Sequence, residues 1–470
     1  MEAAAGVSAD GAPLHSTVWY MVTNLPTEQR IFLLGQLSAL LLAFLFRYCL
    51  PPSQYGPRIR HSVASILGIC LSIYCFGWLT YFLIGEVIIC YLMLLFIDPR
   101  KIHVYTFFLS MGLLTFFHIR RYAYPFIDDL DFTVMLMMLT QKISKVGFEY
   151  HDGSLLNDQS LSPSQRRLAI RSPPGLLPYF SYTVGFLGLL AGPVCSFRDY
   201  QIFIHGEGKK GNPNVAVCKK LLLCCVLLAI HVTVSDLFPI SIDPKSSIIG
   251  QFSNLYLAGA SKRPKYYFAW TLADAINNAA GFGFNGISED GTERWDSLSN
   301  LNILKIETAT SFKMYIDNWN IQTAVWLKEV CYDRCPYNPL LATFVLSAAW
   351  HGVHPGYYLT FLTAAPVSLA ARRVRQNVRP WFQHTVLHRS MYSVITWACT
   401  QIMMTYTVAP FILLELGPSL QLYRSFYFSL HILPVLLLVV LPQRKRPPAA
   451  KESSTAPSCD RNDNHLKKEM

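Results

Sequence analysis

Three stretches of this chain place polar side chains inside apolar sequence, where they are costly to hold and therefore point to chemistry. The first, PKYYFAWTLADAINNAAGFGF, runs from Pro264 to Phe284 and carries Asp274, Asn277 and Asn278 within one turn. On a helix, positions i, i+3 and i+4 share a face, so the three can act together on one ligand or bond between helices. Gly281 and Gly283 follow and allow close backbone approach. The second, SFKMYIDNWNIQTAVWLKEV, runs from Ser311 to Val330. Read as one helix, Phe312, Ile316, Trp319, Thr323, Trp326, Leu327 and Val330 form an apolar stripe. Asn320 falls at the edge of that stripe, whereas Asn318 lies about 160° away at roughly 100° per residue. Asn320 is thus the better placed of the two to work beside an apolar substrate. The third, LSAAWHGVHPGYY, runs from Leu346 to Tyr358 and holds His351 and His354. A neutral imidazole, with an unperturbed pKa of ~6.5, is the natural base for activating a hydroxyl.

Other chemistries lack support. There is no HExxH pair, G-x-S-x-G elbow, P-loop or Rossmann fingerprint. Most of the twelve cysteines, including Cys70, Cys75, Cys90, Cys224, Cys225 and Cys399, lie in apolar runs and read as small hydrophobes. Cys331 and Cys335 have no second Cys or His pair to complete a zinc site, so no metal is expected.

The elements that must position these residues are membrane helices. Of 470 residues, 52% are hydrophobic and 15% charged, against roughly 25% charged in an average soluble domain. Lipid contact accounts for that excess. The net charge of +11 sits in short loops and the tail, where it sets topology and meets anionic headgroups. No arginine-rich patch interleaved with aromatics argues for nucleic acid.

The expected class is all-α and polytopic, with about eleven transmembrane helices plus re-entrant or interfacial ones. Residues 1–30 form a polar segment without an evident cleavable signal; 31–442 form the multi-spanning domain; 443–470 form a disordered tail. Ile31–Leu50 is the first span. Val63–Ile97 is long enough for two helices folding back near Thr80–Glu86. Tyr105–Ile119 follows, and Leu130–Val146, with Lys142 and Lys145, reads as partly re-entrant. A polar loop or interfacial helix spans Glu149–Pro174. Leu176–Val194, Leu221–Ile240, Ile248–Ala260 and Tyr266–Phe284 are further spans. Pro339–Trp350, Tyr357–Ala371, Val394–Leu416 and Ser425–Leu441 complete the set. Arg444, Lys445 and Arg446 predict a cytosolic C-terminus, and Lys467 and Lys468 resemble a di-lysine endoplasmic-reticulum retrieval signal. No internal repeat of the kind many transporters show is found.

Trp319-Asn320, followed 31 residues on by Trp350-His351-Gly352, resembles the Asn/His pair of the membrane-bound O-acyltransferase (MBOAT) family. Ser181-Tyr182, Gly192-Pro193 and Phe197-Arg198-Asp199-Tyr200 look like its upstream pattern. The stretches from Pro264 to Trp326 and Leu346 to Leu362 look like its lysophospholipid branch, closest to lysophosphatidylethanolamine and lysophosphatidylserine acyltransferases. The resemblance implies a helical fold with a buried tunnel and acyl-coenzyme A as co-substrate, without a further cofactor. It implies His351 as general base on a lysophospholipid hydroxyl and Asn320 at the donor carbonyl. Asp274, Asn277, Asn278, Trp319 and Trp350 are expected along the substrate path. A membrane transporter, and a family member acylating a protein or a neutral glyceride, are the competing readings.

Overall fold

The computed structural model describes residues 25–443 apart from 126–130, 157–160, 209–210, 236 and 241–245. The expected tail from 444, with Arg444 to Arg446, Lys467 and Lys468, lies outside them, as does most of the N-terminal segment. Among the described residues the chain is helical, with two isolated β-bridges and no sheet. Four helical runs among the described residues are long and apolar enough to cross a bilayer, five if a bent C-terminal pair is one span.

The first is α1 (Thr27–Cys49), as the sequence suggests. The expected reversal within the next apolar run does not occur. Helices α2 (Pro57–Phe76) and α3 (Thr80–Phe96), joined by a 3-10 turn at Gly77–Leu79, make one 40-residue helical run. The interruption holds one residue of left-handed φ, Gly77 at +53°, and no turn-forming Pro, Asn or Asp, so the chain is not redirected. At 1.5 Å per residue the run is roughly 60 Å long, about twice the hydrocarbon thickness. Helix α4 (Ile102–Ala123) is the third apolar run.

Helix α5 (Phe132–Ser154) is longer than the expected Leu130–Val146. The Asp131 side chain caps it by accepting the Thr133 N–H at 2.9 Å. Almost every residue from Phe132 to Tyr150 is buried, with polar and apolar faces alike enclosed by neighbours. The two lysines behind the re-entrant reading are satisfied internally. Lys142 Nζ donates to the Thr183 carbonyl at 3.3 Å, and Lys145 pairs with Glu329. Where a polar loop or interfacial helix is expected, α5 continues to Ser154 and the short α6 (Pro163–Leu168) follows.

The predicted span Leu176–Val194 is cut short. Helix α7 (Leu176–Val184) ends at Gly185, and an irregular segment leads to α8 (Phe197–His205). Gly188 has φ +72°, and Gly192 packs so closely on it that a Cβ there would collide with its backbone. The chain continues through α9 (Asn214–Val234), the fourth apolar run, into α10 (Ile248–Ala279). The two spans expected around residue 260 are this single 32-residue helix. Pro264 sits inside it, as membrane helices permit when neighbours re-satisfy the freed carbonyl.

After short α11 (Ile303–Glu307), the stretch read above as one helix is broken. Helix α12 (Phe312–Asp317) stops, α13 (Ile321–Leu327) restarts, and a π-turn covers Lys328–Tyr332. Helices α14 (Pro339–His351) and α15 (Pro355–Val378) follow as expected, with α16 (Val386–Leu413) after them. The last predicted span, Ser425–Leu441, is α18 (Ser429–Val440), and a short helix α17 (Leu416–Ser425) precedes it at a bend of 69°.

Candidate active site

Asn320 owes its position to the break between α12 and α13. Its backbone is left-handed, at φ 48° and ψ 54°, a conformation Asn adopts more readily than most residues. It stands at the N-cap of α13, yet its side chain caps no backbone N–H, so the amide is held out of the helix. The preceding loop braces this corner. The Ile321 N–H donates to the Asn300 carbonyl at 2.8 Å, and the Gln322 N–H to Asn300 Oδ1 at 3.0 Å. The Asn302 N–H donates to the Asn318 carbonyl at 3.1 Å, and Leu301 bridges Trp319. Asn318 turns back on its own helix, donating from Nδ2 to the Met314 carbonyl at 2.8 Å. The two asparagines therefore differ in setting for a reason other than helix phase: they do not share a helix.

His351 is the last residue of α14. Asn338 caps that helix and Pro339 occupies its first turn, where a missing N–H is harmless. The Nδ1 of His351 lies 2.7 Å from the Ser347 carbonyl. A carbonyl can only accept, so Nδ1 carries the hydrogen and a neutral ring keeps its lone pair on Nε2. Rings enclose the imidazole, with centroids of Trp350 at 4.7 Å, Phe361 at 5.0 Å, Phe411 at 5.2 Å and Tyr357 at 5.8 Å. Gly352 follows at φ 133°, and a Cβ there would lie 3.1 Å from the His118 ring. His118 in turn donates from Nε2 to the Trp350 carbonyl at 3.1 Å, fixing the end of α14.

One buried helix supports both residues. On α5, the Met137 carbonyl accepts the Trp350 indole N–H at 3.0 Å. Gln141 donates to Thr323 Oγ1 at 3.1 Å, and Ser144 Oγ accepts the Trp326 indole N–H at 2.9 Å. Positions 137, 141 and 144 are i, i+4 and i+7 of one face, so a single stripe holds α14 and α13. Trp326 and Trp350 meet with ring centroids 5.9 Å apart. The stripe continues downstream: Lys145 pairs with Glu329, and Asp152 holds Arg334 through bonds of 2.8 and 2.7 Å. Its spacing was visible in the sequence, but the lysines drew attention away from it.

The other expected residues are placed as follows. Asp274 Oδ2 accepts Lys220 Nζ at 2.6 Å and Ser299 Oγ at 2.5 Å. Asn278 Oδ1 also accepts Lys220, at 2.8 Å, while its Nδ2 donates to the Phe282 carbonyl. Asn277 bonds back to the Ala273 carbonyl at 2.8 Å. Lys220, on α9, completes the group by donating to the Trp295 carbonyl at 2.8 Å, and sequence reading missed it. Three of these six bonds, from Ser299, Phe282 and Trp295, tie the loop after α10 to α9 and α10, and that loop carries Asn300 to the Asn320 corner. Trp319 stands in an aromatic nest, with Trp270 at 5.3 Å and Tyr266 and Tyr267 each at 5.9 Å. Trp350 is buried and bonded to α5.

The arrangement thus offers an imidazole with a free lone pair and an uncommitted carboxamide, on two helices fixed to one buried support and surrounded by rings. A base and a hydrogen-bond donor in apolar surroundings suit acyl transfer. A sequence profile of the MBOAT, membrane-bound O-acyltransferase family, matches residues 71–409. The chain is 45% identical over 448 residues to membrane-bound glycerophospholipid O-acyltransferase 2 of Gallus gallus, covering 90% of this chain and 86% of that one. It is 45% identical over 457 residues to membrane-bound glycerophospholipid O-acyltransferase 1 of Mus musculus, covering 92% and 93%. To lysophospholipid acyltransferase 6 of Drosophila melanogaster it is 37% identical over 440 residues, covering 88% and 61%.

Proposed function

The chain belongs to the membrane-bound O-acyltransferase family, and on that premise we propose how it performs acyl transfer to lysophospholipids, the reaction of a phospholipid-remodelling enzyme. The donor is acyl-coenzyme A, entering from the cytosol, and the acceptor reaches the site from the bilayer or the lumenal side. His351 Nε2 takes the proton of the free glycerol hydroxyl as the oxygen attacks the thioester carbon. Asn320 donates from its carboxamide to the carbonyl oxygen as negative charge develops there. The carbon–sulfur bond then breaks, the imidazolium returns its proton to the sulfur, and coenzyme A leaves as a thiol. No acyl-enzyme forms. The observation that carries this reading is the His351–Ser347 bond of 2.7 Å, which commits Nδ1 and leaves Nε2 as the base.

The likeness to one branch favours lysophosphatidylethanolamine and lysophosphatidylserine as acceptors, with lysophosphatidylcholine weaker. About eleven crossings, the shorter and Pro-bearing helices among them, complete the membrane domain. The enzyme resides in the endoplasmic reticulum with its C-terminus cytosolic. The test is free-thiol release by purified protein given acyl-coenzyme A and a panel of lysolipids with monoacylglycerol included. Release that depends on lysophosphatidylethanolamine or lysophosphatidylserine is expected. Lysophosphatidylinositol as sole acceptor would overturn the headgroup assignment, and release with monoacylglycerol alone would move the enzyme to neutral glycerides.

A further inference from the structure

A second polar site lies away from Asn320 and His351, where the N-terminus of α2 meets the start of α7 and the end of α8. There a cavity of about 490 Å³ is lined by Arg58 and His61 of α2, Leu176 and Pro178 of α7, and His205 of α8. His61 is 2% exposed, and neither ring nitrogen completes a hydrogen bond, although the Gln201 amide approaches. Beside it Arg60 is 3% exposed, with Nε and Nη1 unpartnered. Its guanidinium lies 4.9 Å from the Phe46 ring centroid and 5.4 Å from that of Phe203, so aromatic faces, not carboxylates, hold it. The neighbouring Tyr200 hydroxyl is committed to Ser181, donating to its carbonyl at 3.0 Å. Glu207, at the rim, meets His205 at 3.3 Å and is largely exposed.

A buried guanidinium without a counter-charge is unfavourable unless something supplies one. The position adds to the demand. Helix α2 is 20 residues long, begins with Pro57 after Gly56, and receives no side-chain cap, so its first free amides and the positive end of its dipole face outward. Such a terminus beside basic side chains is suited to phosphate. The rim is apolar as well: Ile59 is 48% and Leu176 54% exposed, as expected of groups that meet hydrocarbon at a membrane surface.

We propose that the pocket lined by Arg58, His61 and His205 at the start of α2, with the buried guanidinium of Arg60 next to His61, binds the phosphate of a membrane ligand or donor, apart from the acyl-transfer centre. Two sources present that chemistry, the headgroup of an anionic phospholipid and the phosphates of coenzyme A. The full-length protein in neutral detergent distinguishes them. Thermal midpoint and Kd, the latter from microscale thermophoresis, are measured with micelles containing phosphatidylglycerol, with micelles containing diacylglycerol, with free coenzyme A and with adenosine 3′,5′-bisphosphate. Stabilisation by phosphatidylglycerol but not diacylglycerol assigns the site to a lipid headgroup. Stabilisation by coenzyme A and the bisphosphate assigns it to the donor. In either case Arg60→Gln and His61→Gln weaken binding by roughly tenfold or more, as loss of a charge-assisted bond does. Should those buried variants fail to fold, Arg58→Gln/His205→Gln, at accessible positions, carries the test with the same expected loss. Wild-type protein that responds to none of the phosphate probes, or an unchanged Kd in every folded variant, overturns the proposal.

Discussion

Asn320 combines two properties that ordinary alanine replacement confounds. Its carboxamide is uncommitted, and its backbone is left-handed at φ 48°. Replacing it with Ala removes the donor and also puts there a residue that tolerates the left-handed region less well than Asn, at up to about 1 kcal/mol of the cost that region carries for an L-residue. Replacing it with Gly removes the donor and leaves the backbone relaxed. Replacing it with Asp keeps shape and tolerance of the conformation but exchanges a donor for an acceptor. If the carboxamide stabilises the developing oxyanion, all three changes lower turnover by a similar factor, ~10²–10³ from the loss of one such donor. Stability separates them: Asn320→Ala melts lower, whereas Asn320→Gly and Asn320→Asp stay near wild type. The assay is thiol release from acyl-coenzyme A with saturating lysophosphatidylethanolamine, at matched expression and elution profile, beside a thermal melt. A well-folded Asn320→Gly enzyme with near-normal turnover would refute the reasoning, because it would show that the corner matters and the amide does not.

The remaining predictions follow from the same contacts. His351→Ala abolishes most turnover, and joining it to Asn320→Gly costs little more than the worse single change, since residues acting as a unit are not additive; a clean product of the two factors in the thiol assay would contradict joint action. Trp326→Phe deletes the bond to Ser144, destabilises by about 1 kcal/mol in a thermal melt, and lowers kcat more than it raises KM as α13 loosens. Lys220→Met leaves Asp274 buried without its cation, so the thermal midpoint and yield fall, by about 3–5 kcal/mol in stability, while the KM for lysolipid in surviving protein is unchanged. A C-terminal tag is reached by antibody after permeabilising the plasma membrane alone; labelling that needs full permeabilisation argues against a cytosolic C-terminus.

Much of this site could be read from the sequence because its residues are polar where neighbours are apolar. His351 ends an apolar helix and Asn320 stands beside apolar and aromatic residues, and the preference for Asn320 over Asn318 is a proposal. Its helix-phase basis is lost, since a left-handed residue ends any argument from continuous helix phase. Periodicity places apolar residues on faces but says nothing of a break that needs just one unusual φ angle, as at Asn320. The same limit explains the two predicted spans that are one helix. Pro264 reads as a breaker in water, whereas neighbouring helices can accommodate it in a membrane. Helix α5 is longer than the stretch Leu130–Val146 read as partly re-entrant, because its lysines do not end it. Lys142 and Lys145 have partners distant in sequence, Thr183 and Glu329, and no local pattern reveals those. Lys220 was missed for the same reason, its acceptors lying more than fifty residues downstream.

The contact between Trp326 and Trp350 also gives the molecule an optical signature. The two indoles belong to α13 and α14, which begin and end at the proposed catalytic pair, and their rings lie 5.9 Å apart at 47° to each other. Chromophores so near and so inclined mix their electronic transitions into a circular-dichroism couplet whose sign follows their handed arrangement. Both indoles are buried, and each is pinned through its N–H to α5, so the couplet reports the spacing of these two helices without an attached dye. Donor or acceptor binding that parted the helices would register as a change in ellipticity before any thiol appeared.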